Sequence, residues 1–248
     1  MGIDGKPYVI ERYKFRSHWL KQRKIGGSDI ACIVNKVGRW GSFIDVYDRI
    51  KKGVTDETDN ESMSDGREAE EPIKELFLIA HKEYKRINDD GMIWMLRRMD
   101  YPELTLSPDT LIKKDTGTGF LEIKLKKVYS EEEIPNYLMN LKESEPQYWW
   151  QLMHYFVVGT DIGFGHLVVC FDVLGKQDDK WGHQRFVIED LEITRESVEE
   201  DIRTAEKEAI KFIEENIRPG IRPRTKLEGH KGGNIKWTKL LNTQTFQR

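Results

Sequence analysis

The chain has 248 residues, 38% of them hydrophobic and 33% charged, with a formal net charge of −3. That length holds one large domain or two small ones, and no apolar run reaches the roughly 20 residues of a membrane span. Cys32 and Cys170 are the only cysteines. They exclude four-cysteine zinc or iron–sulfur sites within one chain, and they suit a reducing, cytoplasmic compartment.

Residues 12–24 are basic, with Phe15 and Trp19 four apart, which predicts a first helix. Arg23 ends it, just before Ile25-Gly26-Gly27-Ser28-Asp29. Two glycines followed by Ser28-Asp29 read as a turn and a capped helix start. The free backbone N–H groups of such a start form an anion site; plain capping gives the same pattern. Arg39-Trp40-Gly41-Ser42 opens another helix, to about Lys51.

Residues 55–71 hold eight acids against Arg67 alone, and Gly53 to Ser64 reads as a loop. Asp65 then caps a helix, with Glu68 three residues on. Ala69, Ile73, Leu76, Phe77 and Ala80 define its apolar face. Glu70 falls at the edge of that face, in line with Ile73 and Phe77. An acid turned inward needs a partner or a metal, whereas an edge acid can reach water.

Residues 91–99 predict a strand. Leu104–Leu106 and Thr110–Ile112 predict two short strands around Ser107-Pro108-Asp109. Pro108 favours an extended Ser107. Residues 115–119 have turn composition, and Phe120–Leu125 is the next strand. Alternation puts Glu122 and Lys124 on one face and turns Ile123 away. Carboxylates from the two halves of this hairpin can make a hard-oxygen site for magnesium or manganese. Short E-x-K patterns are common, so the hairpin by itself is also an ordinary surface hairpin.

Val128–Pro146 is mixed and acidic, and is expected to be exposed. Residues 146–158 form a helix apolar nearly all round, hence buried, with Gln151 and Tyr155 on one stripe. A glutamine there needs hydrogen-bond partners. Residues 163–171 and 185–193 read as a hairpin around a polar turn at 175–182. Thr194 caps a long helix carrying Val198, Ile202, Ala205, Ala209 and Phe212. Residues 218–248 hold eight bases against Glu228 and read as a basic arm. It suits phosphate contacts, and equally a solvated tail. The division is therefore a domain over 1–217 and an arm over 218–248. The six histidines include no H-x-x-x-H pair. His154 and Cys170 read as packed residues.

Asp109 followed by Glu122-Ile123-Lys124 resembles the PD-(D/E)XK nuclease core. More of the chain follows in the same order: Trp19-Leu20-x-x-Arg23 leading to Ile25-Gly26-Gly27-Ser28-Asp29, then Gly66-Arg67-Glu68-Ala69-Glu70, Ser107-Pro108-Asp109, Gly119 to Lys124, and Gln151 within Tyr148-Trp149-Trp150-Gln151. Together, over residues 19–170, these resemble the YqaJ-like viral recombinases and the lambda exonuclease group. Leu125-Lys126 stands where the family often has Cys-Pro, and Asp109-Thr110 where it often has Asp-Gly; neither departure touches a ligand.

The resemblance implies an α/β restriction-endonuclease-like fold, a mixed central sheet flanked by helices. It implies a magnesium-dependent 5′–3′ exonuclease that resects linear double-stranded DNA, with Asp109, Glu122, Lys124 and Gln151 catalytic. Glu70, Asp109, Glu122 and the Ile123 carbonyl would hold Mg2+ (Mn2+ substituting), as two ions. Arg23, Gly27 and Ser28 would form a 5′-phosphate pocket. Lys126, Lys127 and Tyr155 are secondary DNA-binding candidates. Implied partners are DNA ends, a single-strand annealing protein and further copies of the chain in a trimer; no membrane is implied. The same core would serve an endonuclease or structure-selective nuclease, and a non-catalytic DNA-binding or adaptor protein could retain the fold.

Overall fold

The structure is a computed structural model, and it describes residues 7–39, 41–53, 61–88, 90–174 and 185–224, the side chains of 61–65 and 185 excepted. The elements are β1 (Tyr8–Tyr13), α1 (Arg16–Gln22), α2 (Gly27–Asn35), β2 (Val37–Gly38), β3 (Gly41–Ser42), α3 (Phe43–Lys52) and α4 (Glu61–Ala80). Then come β4 (Lys85–Arg86), β5 (Ile93–Arg98), β6 (Thr105–Leu106), β7 (Thr110–Lys114) and β8 (Gly117–Val128). They are followed by α5 (Glu133–Met139), α6 (Leu141–Ser144), α7 (Pro146–Val158), β9 (Ile162–Val173), β10 (Arg185–Thr194) and α8 (Glu199–Phe212).

The main sheet has the order β10-β9-β8-β7-β4. It is mixed: β8 and β9 run parallel and the other pairs antiparallel. Period-2 alternation gives it two apolar faces. Phe120, Leu167, Val169 and Phe171 pack with the residues of α2, α7 and α8. Leu121, Ile123, Val168 and Cys170 pack under Ile73 and Phe77 of α4. This is the expected sheet between helices. A second sheet, β1-β5-β6, stands apart from it.

Several expectations shift. The first helix starts at Arg16, because residues 8–13 pair with β5 instead. Phe15 is exposed, so Phe15 and Trp19 are no buried stripe. The helix expected to start at Asp65 already runs from Glu61, so Asp65 lies inside it; its side chain is outside the described residues. The buried face of α4 is also turned: Leu76 is 52% exposed and Ala80 is exposed, while Ile73, Lys74 and Phe77 are buried. The stripe is thus 70, 73, 74, 77, an i, i+3, i+4, i+7 pattern centred nearer Glu70.

Residues 128–146 are not simply exposed. They form α5 and α6, anchored by buried Ile134 and Leu141. Thr194 belongs to β10, and its Oγ1 accepts from Ser197 N–H at a 3-10 turn ahead of α8. The five apolar positions expected from Val198 to Phe212 are all buried.

The start of the basic arm is fastened down. Arg218 pairs with Glu103 and Arg222 with Asp48. Tyr47 Oη donates to the Gly220 carbonyl at 2.7 Å. Trp40, the expected turn at 175–182 and the arm from 225 onward lie outside the described residues.

Two glycines let β8 and β9 exchange aromatic rings. Gly119 faces Phe164 and Phe120 faces Gly165 across the ladder. A Cβ at Gly165 would stand 2.1 Å from the Phe120 ring, whereas one at Gly163 would meet nothing within 4 Å. Gly165→Ala is therefore expected to destabilise the fold by about 1–3 kcal/mol through overpacking, and Gly163→Ala to leave it unchanged. Urea unfolding of both variants checks this.

Candidate active site

The β7–β8 ladder ends at the pair Thr110↔Leu121. Beyond it β8 continues with no β7 residue opposite. The next backbone donor, Ile123 N–H, goes instead to Asp109 Oδ2 at 2.7 Å. The side chain of Asp109 thus replaces a missing rung, and it lies beside Glu122 for that reason. Pairing and alternation together make the site.

Glu122 is 2% exposed, on the sheet face covered by α7. A carboxylate there needs full hydrogen bonding. Gln151 Nε2 donates to Oε1 at 2.6 Å and Tyr155 Oη to Oε2 at 2.7 Å. Gln151 and Tyr155 are one helical turn apart and linked at 2.8 Å. Lys124 Nζ also bonds Glu122 Oε1. Burial works against the Lys124 charge, but the carboxylates of Glu122 and Asp109 outweigh it, so its ammonium titrates above the ordinary lysine range. Burial, with Glu122 and Asp109, likewise holds the Tyr155 phenol protonated.

Glu70 reaches this group from the turned stripe of α4. Burial raises its pKa and Glu122 raises it further, while Lys74 and Lys124 pull it down. Burial, Glu122 and Glu70 together hold the Asp109 carboxyl well above its usual range. Glu70, Asp109 and Glu122 therefore lie within electrostatic reach of one another.

Among the described residues, no three His, Cys, Asp or Glu side chains are already arranged to hold a metal ion. Both oxygens of Glu122, and one of Asp109, are engaged by protein donors. The donor set itself suits a hard divalent cation, being carboxylates and a nearby backbone carbonyl. Such a cation would relieve the repulsion that raises Asp109 and Glu70.

The Gly26-Gly27 turn stands against the same cluster. A Cβ at Gly27 would be 2.7 Å from both Gln151 Cγ and Tyr155 Cε1, and one at Gly26 would be 2.9 Å from Arg23 Nε. At Gly27 only glycine permits the approach, since Gln151 and Tyr155 are buried; at Gly26 the end of the Arg23 side chain could give way. Ser28 Oγ bonds Arg23 Nη2. Gly26, not Ser28, is the residue before the helix, and its N–H donates to Asp29 Oδ2 at 2.8 Å. Arg49 neutralises Asp29 at 2.6 Å. Ile25 bridges Leu104, and Trp19 Nε1 donates to Ser107 Oγ at 2.8 Å. These contacts tie the segment carrying Arg23, Gly27 and Ser28 to Leu104 and Ser107, just ahead of Asp109.

Of the secondary candidates, Tyr155 lies within the cluster and Lys126 on its face. Lys127 is exposed and alternates to the other face, so it is not brought there.

Two neighbours went unforeseen. Lys74 is 6% exposed, and its Nζ donates to the Asp109 carbonyl at 3.4 Å. It sits one turn after Glu70, a spacing that could have revealed it. Asn88 is buried, and its Oδ1 accepts from Thr110 Oγ1 at 2.6 Å and Leu111 N–H at 2.8 Å, fixing the start of β7.

His154 is buried, bonds the Thr105 carbonyl at 3.0 Å and is pushed down to about 4 by burial. His81 and His166, distant in sequence, lie with ring centroids 6.0 Å apart around Asp190. Both nitrogens of His166 are occupied, by Asp190 and by Tyr84 Oη.

The sequence matches the family model of the YqaJ-like viral recombinase domain over residues 18–162. Comparison with curated proteins finds no match. Among solved structures, LHK-Exo in complex with dAMP is similar at TM-score 0.52 and 16% identity, covering 80% of this chain and 93% of that one. The alkaline exonuclease LHK-Exo from Laribacter hongkongensis is similar at TM-score 0.51 and 15% identity, with the same coverage. The fold is thus that of the PD-(D/E)XK exonucleases, as expected.

An acid whose pKa is raised by folding costs stability when charged. Its penalty is absent below the unfolded value of about 3.9 and grows as pH rises through the folded one. In EDTA at pH 8, Asp109→Asn is therefore expected to melt higher than wild type, by roughly 2–4 °C per kcal/mol relieved. The gap should close as pH falls through the raised Asp109 value. Melting curves against pH check the sign.

Proposed function

The chain belongs to the YqaJ-like viral recombinase family, and from that premise we propose that it is a metal-dependent deoxyribonuclease. Its activity is a 5′–3′ exonuclease that resects linear duplex DNA for recombination by strand annealing. The observation that carries this reading is the meeting of Asp109 with the Glu122–Lys124 pair at the open edge of β8, with Glu70 in electrostatic reach of both acids. A protein that only bound DNA would gain nothing from three mutually repelling acids facing a polyanion.

Glu70, Asp109, Glu122 and the Ile123 carbonyl would hold Mg2+, as two ions, with Mn2+ able to substitute. Bound there, the metal would supply an activated water and offset charge on the phosphoryl and leaving oxygens. Water adds to phosphorus, the bond from phosphorus to the sugar oxygen breaks, and that oxygen takes up a proton.

Lys124 serves as a fixed cation, because its neighbours keep it protonated. It orients the water and offsets phosphoryl charge. Gln151 and Tyr155 hold the Glu122 oxygens in place. Arg23 and Ser28, with the N–H groups at Gly27, receive a terminal 5′-phosphate at the start of α2. Their closeness to Gln151 and Tyr155 would set the cut near the end of the strand.

No helix among the described residues is long and apolar enough to cross a membrane. That fits work on DNA in the cytoplasm of a host cell, with an annealing protein as partner and a ring of three copies as the assembly. The division at 217 is part of this proposal, with the basic arm as a further DNA contact.

The test uses linear duplexes with and without a 5′-phosphate, and a nicked circle, in magnesium or EDTA. Wild type should digest linear DNA from its ends, faster with the phosphate, and EDTA should stop it. Lys124→Ala is expected to lose roughly 100-fold or more in rate. Arg23→Ala should cut but ignore the phosphate. Cutting of the closed strand would make the enzyme an endonuclease. No digestion in magnesium or manganese would sink the nuclease reading and leave a binding or adaptor protein.

A further inference from the structure

Lys126 repeats Lys124 two residues further along the same face of β8, ~6.6 Å away by strand rise. The repeat extends to their surroundings. Lys124 lies over the Tyr148 ring at 5.3 Å and Lys126 over the Tyr137 ring at 5.2 Å. Each lysine is bonded to a buried carboxylate, Lys124 to Glu122 and Lys126 to Glu145. Glu145 is 5% exposed, at the entrance to α7.

The second carboxylate differs from the first in its company. It carries two cations, Lys126 and Arg39, the latter at 3.4 Å, and accepts from Gln147 Nε2. Two cations on one carboxylate leave one net positive charge. A strut between β8 and α7 needs only one of them. Both cations reach solvent, with side chains 28% and 57% exposed. Beside them Tyr137 Oη is enclosed yet has no hydrogen-bond partner among the described residues, and Glu145 is the charge that bears on it most. A buried hydroxyl without a partner marks a polar site whose complement is incomplete.

We propose that Lys126 and Arg39, held in place by Glu145 and Gln147, form a subsite for the phosphodiester next to the one that Glu122 and Lys124 face. Glu145 keeps the two cations ordered without cancelling both. A phosphate has the charge and the several acceptor oxygens to take a hydrogen bond from each. The spacing along β8 is of the order of one nucleotide of extended backbone, so Lys124 and Lys126 would engage successive phosphates. The subsite rests on the nuclease reading for its register, but its occupancy needs no cleavage.

The test measures binding with calcium in place of magnesium. The probes are a labelled, 5′-phosphorylated duplex and three copies, each with one neutral methylphosphonate among the three linkages nearest that end. Lys126→Met and Arg39→Ala are each expected to weaken binding of the unmodified duplex roughly tenfold. Each should also lower the log–log salt slope by about 0.7 to 0.9. On the one probe that is neutral at the subsite, neither variant should cost anything further. Arg39 is mostly exposed, so its variant tests the idea even if Lys126→Met fails to fold; Lys126→Arg should then bind as wild type does. Wild-type affinity in both charge-removing variants, or equal losses on all four probes, would overturn the subsite. Coupling at one linkage in a chain that cuts nothing would keep the subsite and discard the nuclease reading. Cutting without coupling would do the reverse.

Discussion

A buried carboxylate on a strand shapes this molecule. Glu122 occupies a position where alternation demands an inward side chain, and a charge there costs several kcal/mol unless its oxygens are satisfied. Gln151, Tyr155 and Lys124 supply that satisfaction. In doing so they dictate what α7 must present to the sheet. Gly27 is required because the start of α2 rests on those same two side chains of α7. Removing any one partner leaves a charge or a donor stranded, so the cluster forms as a unit.

The sheet adds a second constraint. β7 begins pairing only at Thr110, one residue after Asp109, which leaves the edge of β8 open where the acids meet. Asp109 fills the gap with its carboxylate, while Lys74 holds its carbonyl and Asn88 holds the two residues that follow. The price of this arrangement is local repulsion among carboxylates. That repulsion is tolerable in a protein whose site is built to receive positive charge.

The face of β8 reads as a row of charges rather than a single site. Glu122 and Lys124 come first, then Lys126 with Glu145 and Arg39 from elsewhere in the chain. Each cation has a buried anion to hold it in a defined place. Ordered cations lose less freedom on meeting a phosphate than free surface lysines would.

Much of this was legible from the sequence because it rests on local periodicity. The alternation that pairs Glu122 with Lys124, the stripe joining Gln151 to Tyr155, the helix from Pro146 to Val158 and the apolar spacing from Val198 to Phe212 need only neighbouring residues to be read. The order of the motifs carried the family. Tertiary structure alone decided the rest. It turned the buried face of α4 from Leu76 toward Glu70 and Lys74, because packing on the sheet outweighs the nominal apolar count of a helix. It drew residues 8–13 into a strand, because β5 was there to pair with them. It brought Glu145 and Arg39 to Lys126, and His81 to His166, since such meetings depend on how strands and helices stack and not on spacing along the chain.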